Sequence, residues 1–279
     1  MTIHADALPL EVPRGRVVLR VLPGQSGGKC YVYLPRQWQP GGPVLAAIHG
    51  ISRNAREQAL LFAGWAERHG FAVIAPLFSR ENYRDYQRLG IEARGQRADR
   101  FFIRVLEAFA DWAGAPIERV NLFGYSGGGQ FAHRFALLHP GRVAGLALGA
   151  PGWYTLPDES RAFPLGIAEF PEEITPDLAA WLVLPMIVLV GSEDNQRDPA
   201  LRQSARLDRL QGLTRIERGQ RFIAFTAATA HKRGLTPRLE FTLLPGVGHS
   251  FEAAMTAGGL PEKILTFLGL QALSVTGDC

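Results

Sequence analysis

The chain has 279 residues, of which 47% are hydrophobic and 20% are charged, and its formal net charge at pH 7 is +4. This length and composition predict one globular domain with a large apolar core. Arginine supplies nearly all of the positive charge, and it is spread along amphipathic segments instead of forming one stripe. We therefore expect no nucleic-acid partner, and we interpret the spaced arginines Arg215, Arg218 and Arg221 as a solvated helix face.

The two cysteines, Cys30 and Cys279, indicate neither a disulfide framework nor a C-x-x-C motif, so we expect no metal and no redox cofactor. The segment from Met1 to Leu10 has no basic stretch followed by an apolar run of about seven residues or more. No uninterrupted apolar run approaches the roughly 18 residues of a membrane span. We expect a cytoplasmic protein without a membrane partner, and the sequence leaves its oligomeric state open.

Short apolar runs rich in β-branched residues alternate with longer segments of helical periodicity. This pattern predicts a mostly parallel sheet with helices on both faces. In chain order the predicted strands are Val17-Val21, Cys30-Leu34, Val44-His49, Ala72-Pro76, Val120-Tyr125, Gly145-Leu148, Ile187-Val190 and Glu240-Leu244. We therefore assign the chain to the α/β class, with an eight-stranded sheet in a single domain over residues 1–279.

Helices are predicted between these strands. Asn54 and Glu57 indicate a capping box that opens a helix ending at Gly70. The later helices are predicted around Phe102–Trp112, from Phe131 to Leu138, over Pro199–Gly234 with breaks at Gly212 and Gly219, and over Leu260–Leu268.

Two segments are longer than ordinary connections. Residues 79–95 join a strand to a helix, and residues 153–184 form an insertion between two strands. Loops of this length in a compact domain usually form lids or pocket walls, so we expect the insertion to be lid-like. The candidate substrate-binding side chains in these segments are Tyr83, Arg80, Trp153 and Tyr154. The alternative is that the aromatic side chains only pack the insertion onto the body of the domain.

The pentapeptide Gly124-Tyr125-Ser126-Gly127-Gly128 lies between a predicted strand and a predicted helix. A nucleophile elbow has this order of elements, because its serine occupies a sharp turn and presents its hydroxyl above the sheet. A Cβ atom at Gly124 or Gly128 would collide with neighbouring backbone in such a turn. Ser126 is therefore the predicted nucleophile.

A serine hydroxyl is a weak nucleophile and needs a base, which in turn needs a carboxylate to orient it. In this architecture the acid and then the histidine follow the serine, at the carboxyl ends of later strands. His249 follows a strand through a glycine-containing loop and is the predicted base, whereas His231 is interpreted as a surface residue at a helix end. Asp194, in the turn after a buried strand, is the predicted acid, and the alternatives are Glu193 and Asp198.

An oxyanion hole needs two preorganised N–H donors. The amide of Gly127 is one candidate, because it directly follows the nucleophile at a helix N-terminus. The amide of Ile51, in the loop after the third strand, is the other, with Ser52 as an alternative. His49, which precedes this loop, is interpreted as a structural hydrogen-bonding residue.

The order of four motifs resembles the α/β-hydrolase superfamily over nearly the whole chain: His49-Gly50-Ile51, the elbow, Gly191 to Asp194 and Gly246 to Ser250. Within that superfamily, the single-domain size and the stretch Gly124 to His139 are similar to polyhydroxybutyrate-depolymerase-like and feruloyl-esterase-like serine esterases. The resemblance implies an α/β-hydrolase fold and a serine hydrolase that works without a cofactor.

The sequence thus predicts a serine carboxylesterase that acts on small soluble esters through Ser126, Asp194 and His249, with an acyl-enzyme intermediate. A small substrate is favoured because no segment is left over for a polymer-binding module. Three alternatives stay open. They are an acyltransferase with the same triad, a polyester depolymerase of the polyhydroxyalkanoate type, and a ligand-binding homologue without turnover.

Overall fold

The computed structural model describes residues 12–24, 28–91, 94–170 and 176–271. All eight predicted strands are present in one sheet: β1 Val18–Val21, β2 Lys29–Tyr33, β3 Val44–Ile48, β4 Ala72–Leu77, β5 Val120–Tyr125, β6 Val143–Gly149, β7 Met186–Gly191 and β8 Leu239–Leu244. The strand order is β1-β2-β4-β3-β5-β6-β7-β8. The first two strands pair in antiparallel fashion and β3 to β8 are mutually parallel, so the predicted mostly parallel sheet is confirmed.

Strands β3 and β7 are buried along their whole length. Since successive side chains of a strand point to opposite faces, both faces of the sheet are covered, and helices cover them. The helices are α1 Ala55–His69, α2 Ala98–Ala113, α3 Gly127–Leu138, α4 Leu178–Leu182, α5 Ala205–Gln211, α6 Arg215–Lys232, α7 Phe251–Thr256 and α8 Leu260–Leu268. None of the helices in the described ranges has the length and apolar character that a membrane crossing requires.

The predicted helix end at Gly70 is confirmed. Gly70 ends α1 and Gly114 ends α2, both in the left-handed conformation that favours glycine. The predicted break at Gly212 separates α5 from α6, but the predicted break at Gly219 is wrong. Gly219 lies within α6, where an added Cβ would lie 2.8 Å from the Phe241 ring, so it allows close packing of the helix on β8.

The predicted capping box at the start of α1 is also wrong in detail. Asn54 is the N-cap residue, but its side chain accepts no hydrogen bond from a backbone N–H of the first turn of the helix. Its Nδ2 instead donates to Oε2 of Glu57 at 2.6 Å.

The parallel strands place four loops at the same edge of the sheet, because their carboxyl ends all point the same way. The loops after β3, β5, β7 and β8 carry Ile51, Ser126, Asp194 and His249 respectively. The fold therefore gathers residues that are up to 198 positions apart, from Ile51 to His249, along one edge.

Candidate active site

Ser126 lies at the elbow between β5 and α3, with φ 54° and ψ −113°. This backbone conformation is strained for any residue that has a Cβ. The turn depends on its glycines, because an added Cβ at Gly124 would lie 2.2 Å from the carbonyl oxygen of Gly128, and one at Gly128 would lie 2.1 Å from that of Ile48. The Ser126 N–H donates to the carbonyl oxygen of Gly149 at 2.7 Å. The prediction of a sharp, glycine-dependent elbow is confirmed.

The structure joins the three residues of the predicted triad in one hydrogen-bonded chain. The Nε2 atom of His249 lies 3.0 Å from Oγ of Ser126, and its Nδ1 atom lies 2.7 Å from Oδ2 of Asp194. Since a carboxylate only accepts hydrogen bonds, Nδ1 carries the proton in this pair. In the tautomer that carries the proton on Nδ1, the Nε2 atom faces the serine hydroxyl as a hydrogen-bond acceptor. Asp194, and neither Glu193 nor Asp198, is the carboxylate bonded to His249.

The turn that carries Asp194 and the loop that carries His249 are bound directly to each other. The Glu193 N–H donates to the carbonyl oxygen of Val247 at 3.0 Å, and the Gly246 N–H donates to Oγ of Ser192 at 2.9 Å. These bonds hold the two loops together independently of the Asp194 and His249 side chains. A catalytic pair needs such positioning within a fraction of an ångström.

A buried arginine, Arg215, binds the other oxygen of the Asp194 carboxylate. Its guanidinium donates to Oδ1 of Asp194 at 2.8 Å and also pairs closely with Asp198. The hydrogen bond from Arg215 lowers the pKa of Asp198 to about 2. Burial disfavours the charged arginine, but its bond to Asp198 and the charge of Asp194 outweigh this effect and raise its pKa. Arg215 therefore holds Oδ1 while Oδ2 faces His249.

The prediction that the arginines of α6 form a solvated face is therefore wrong for two of them. Arg215 is 1% exposed and Arg218, which pairs with Asp208 at 2.8 Å, is 0% exposed, whereas Arg221 is exposed. The sequence did contain a signal. Arg215 and Arg218 lie seven and four residues before the buried Phe222, which places all three on one inward face of a helix.

The candidate oxyanion-hole residues lie next to each other. Gly127 is the first residue of α3, where backbone N–H groups have no intrahelical partner. An added Cβ at Gly127 would lie 3.1 Å from Cγ2 of Ile51, 2.8 Å from the hydroxyl of Tyr86 and 2.9 Å from Nε2 of Gln87. Ile51, which is 51% exposed, therefore borders the same space as Gly127.

His49 holds this loop through hydrogen bonds made by its ring, in agreement with its interpretation as a structural residue. Its Nδ1 atom donates to the carbonyl oxygen of Gly50 at 2.9 Å, and its Nε2 atom accepts from the N–H of Phe78 at 3.0 Å. The Tyr86 hydroxyl donates to the carbonyl oxygen of His49 at 2.9 Å. Burial lowers the pKa of His49 to about 4, so its ring is neutral and does not titrate near pH 7.

A cavity of about 310 Å³ opens above Ser126. Its walls come from the loop after β3, the first turn of α1, the elbow, and the segment from His249 into α7. The lining residues that sequence reasoning missed include Asn54, Glu57, Gln58, Tyr125, Phe251 and Glu252. Among these residues, Gln58 alone had a signal in the sequence, because it lies one turn into the helix that follows the loop of Ile51.

Two of the predicted substrate-binding residues do not reach this cavity, and their prediction is corrected. Tyr83 is 2% exposed and stacks on Phe101 with ring centroids 4.6 Å apart. Tyr154 is 0% exposed and stacks on Phe222 at 4.2 Å. Both tyrosine rings pack in the apolar core and thereby hold the two long loops against the domain.

The other two predicted substrate-binding residues lie farther out. Trp153 lines a neighbouring cavity of about 200 Å³ together with Gln130 and Arg202, and Ala200 borders both cavities. Arg80 is exposed and lines neither of the two. The described residues of the insertion 153–184 are absent from the lining of the cavity above Ser126, so its function as a lid stays a prediction.

No protein-family model matches the chain, and no curated protein matches its sequence. Solved structures do match. The poly(3-hydroxybutyrate) depolymerase LpqC from Bordetella parapertussis is 27% identical, with 93% of this chain and 91% of that chain covered and a TM-score of 0.76. Poly(aspartic acid) hydrolase-1 from Sphingomonas sp. KT-1 is 23% identical, with 88% and 99% covered and a TM-score of 0.75.

A third structure, an S-formylglutathione hydrolase from Agrobacterium tumefaciens, is 17% identical, with 92% of this chain and 95% of that chain covered and a TM-score of 0.53. The poly(aspartic acid) hydrolase and the S-formylglutathione hydrolase, both less than 25% identical to this chain, share its fold. LpqC shares the fold and is more similar in sequence. This chain has the α/β-hydrolase fold and resembles the serine hydrolases and esterases that share it, a poly(3-hydroxybutyrate) depolymerase among them.

Proposed function

We propose that this protein is a serine carboxylic-ester hydrolase that acts on small soluble esters. The observation that carries this proposal is the contact of Ser126 Oγ with His249 Nε2 at 3.0 Å, together with the 2.7 Å contact of His249 Nδ1 with Asp194. A hydroxyl in this arrangement is activated by the neighbouring base. The 27% identity to a polyester depolymerase over most of both chains supports ester hydrolysis in general.

In the proposed mechanism His249 accepts the proton of Ser126 as the hydroxyl oxygen attacks the ester carbonyl. The amides of Gly127 and Ile51 donate to the oxyanion of the tetrahedral intermediate. The imidazolium, stabilised by Asp194, then protonates the departing alcohol, which leaves an acyl group on Ser126. A water molecule then attacks the acyl carbonyl as it gives a proton to His249. His249 returns this proton to Oγ of Ser126 as the ester bond to the enzyme breaks and the carboxylic acid leaves.

The size of the cavity favours small substrates. Its volume of about 310 Å³ is at the lower end of the range of roughly 300–1,000 Å³ that is typical of small-molecule sites. Such a cavity accommodates a short acyl or alcohol group beside the ester carbonyl. A polyester depolymerase is the second candidate, because LpqC carries that activity in its name.

Hydrolysis of p-nitrophenyl acetate and butyrate, compared with product release from a suspension of poly(3-hydroxybutyrate), tests the proposal. We expect turnover of the small esters by the wild-type protein and its loss in Ser126→Ala. Equal or faster turnover of the suspension would favour the polyester activity. Small-ester hydrolysis that survives in Ser126→Ala would contradict the proposed mechanism.

A further inference from the structure

Two residues that line the cavity above Ser126 have buried polar atoms without a hydrogen-bond partner in the described ranges. Gln58 is 0% exposed, and neither its Oε1 nor its Nε2 has a hydrogen-bond partner among the described residues. The Oδ1 atom of Asn54 is likewise buried and unpaired within the described part of the chain.

An unpaired buried polar atom destabilises a fold, and nearly all buried polar atoms in native proteins form hydrogen bonds. Glu57 and Glu252 line the same cavity and bring two carboxylates to it. We call these four residues the polar wall: Asn54, Glu57, Gln58 and Glu252. Unpaired groups gathered within one cavity, beside the candidate nucleophile, indicate that a substrate group completes their hydrogen bonds.

The chemistry of the polar wall identifies that group. The Nδ2 atom of Asn54 already donates to Glu57, so its carbonyl oxygen remains as an acceptor, and the carbonyl oxygen of Gln58 is a second one. Two carboxylates add negative charge, and the described lining contains no lysine or arginine. This surface favours a hydrogen-bond donor with a positive charge. A primary ammonium has three N–H donors and fits that description.

We propose that the polar wall is a subsite for a protonated primary amine, so that the preferred esters carry an ammonium group at the far end of their acyl or alcohol part. This inference rests on the proposed function, since it places the ester carbonyl at Ser126. A carboxylate at the same position would be repelled by Glu57 and Glu252. An ammonium donates to the carbonyl oxygen of Gln58, whereas a methyl group would leave that oxygen unpaired.

Two matched series of esters test the proposal. The first consists of p-nitrophenyl esters of hexanoic, 6-hydroxyhexanoic and 6-aminohexanoic acid and the monoester of adipic acid. The second consists of the corresponding acetates of six-carbon alcohols that end in methyl, hydroxyl, ammonium or carboxylate. In at least one series we expect kcat/KM for the ammonium-ended ester to exceed that for the methyl-ended one by about 10- to 100-fold, as for hydrogen bonds to charged groups. The carboxylate-ended ester should be the poorest.

Variants assign this preference to the polar wall. Gln58→Leu removes the buried amide with little change in volume, and the double variant Glu57→Gln/Glu252→Gln removes the charge without touching a fully buried side chain. Both should lower the ratio of the ammonium-ended to the methyl-ended rate toward one. Glu262→Gln is the matched control, because Glu262 is exposed, occupies the first turn of α8 and does not line the cavity.

The outcomes separate this inference from the proposed function. Suppose that methyl-ended esters are hydrolysed in a Ser126-dependent way and that their kcat/KM equals or exceeds that of the ammonium-ended esters in both series. The amine subsite is then contradicted, whereas the proposed esterase activity is retained. The same holds if hydroxyl-ended esters are the best substrates, or if the ammonium preference persists in the double variant. If the methyl-ended esters show no Ser126-dependent hydrolysis, the proposed function itself fails. Should Gln58→Leu fail to fold, the double variant still decides.

Discussion

Arg215 donates a hydrogen bond of 2.8 Å to Oδ1 of Asp194, whose other oxygen lies 2.7 Å from Nδ1 of His249. Arg215 is 1% exposed and is held on its other side by Asp198. The carboxylate thus has one oxygen fixed by a buried cation and one available to the base. In the proposed mechanism Arg215 is a positioning residue that acts through Asp194.

Replacing Arg215 tests this relationship. Arg215→Met should lower kcat on a p-nitrophenyl ester by about 10- to 100-fold when rates are compared per folded molecule. It should also lower the free energy of unfolding by about 3–5 kcal/mol, because it leaves a buried carboxylate unpaired. Arg215→Lys should restore part of the rate, since it keeps the charge but loses the planar fork. The control Arg221→Met changes an exposed arginine of the same helix. A folded Arg215→Met protein with wild-type kcat would show that Arg215 serves stability alone.

The elbow makes a prediction about stability. Gly128→Ala places a Cβ 2.1 Å from the carbonyl oxygen of Ile48, and we expect it to lower the free energy of unfolding by about 3 kcal/mol or more and to abolish activity. Gly141→Ala is the matched control, because an added Cβ there meets nothing within 4 Å. Its effect should stay within about 0.5 kcal/mol. Urea unfolding measures both, and similar losses in the two variants would mean that the elbow is not sterically restricted.

The proposed oxyanion hole can be tested by substitutions of Ile51. The Arg53 N–H donates to the carbonyl oxygen of Gly50, so Ile51 occupies the second position of a four-residue turn, where proline is favoured. Ile51→Pro removes the N–H donor and should lower kcat by about 10²- to 10³-fold, whereas Ile51→Val keeps the donor and should retain the rate. Equal rates for the two variants would transfer the donor role to Ser52.

The buried histidines predict how stability depends on pH. Burial lowers the pKa of His49 to about 4, and burial also lowers the pKa of His133. Between pH 4 and the value of about 6.5 that is usual for an exposed histidine, the unfolded chain therefore binds protons that the folded protein does not. The free energy of unfolding should be full above that window and should fall as the pH is lowered through it, by about 1.4 kcal/mol per pH unit for each histidine.

Urea unfolding at a series of pH values checks this expectation. His49→Gln should have a shallower slope over the window, whereas His231→Gln, which changes an exposed histidine, should keep the wild-type slope. An unfolding free energy that is constant from pH 7 to pH 4.5 would contradict the buried neutral histidines.

The sheet, the elbow and the positions of Ser126, Asp194 and His249 could be predicted because each depends on local patterns. Apolar runs define strands, glycines define the turn, and parallel strands bring their carboxyl ends to one edge. The lining of the cavity could not be predicted in this way. Tyr83 and Tyr154 lie in long loops, where an aromatic ring that packs on the core has the same sequence signature as one that faces a pocket.

Polar residues presented the opposite problem. Arg215 and Gln58 have side chains that are usually solvated, but both are buried here. Arg215 pairs with two aspartates from the loop after β7, and Gln58 lines the cavity. These contacts join residues that are distant in sequence, so the local sequence indicates only the helix face on which each residue lies.

The central claim is that Ser126 and His249 act as one catalytic unit, and the most direct test is a double-mutant cycle in kcat on p-nitrophenyl acetate. Ser126→Ala and His249→Ala should each lower kcat by about 10⁴-fold or more, and the double variant should be little worse than either, because members of a triad act together. Losses that multiply in the double variant, or a Ser126→Ala protein that keeps wild-type kcat, would contradict the account.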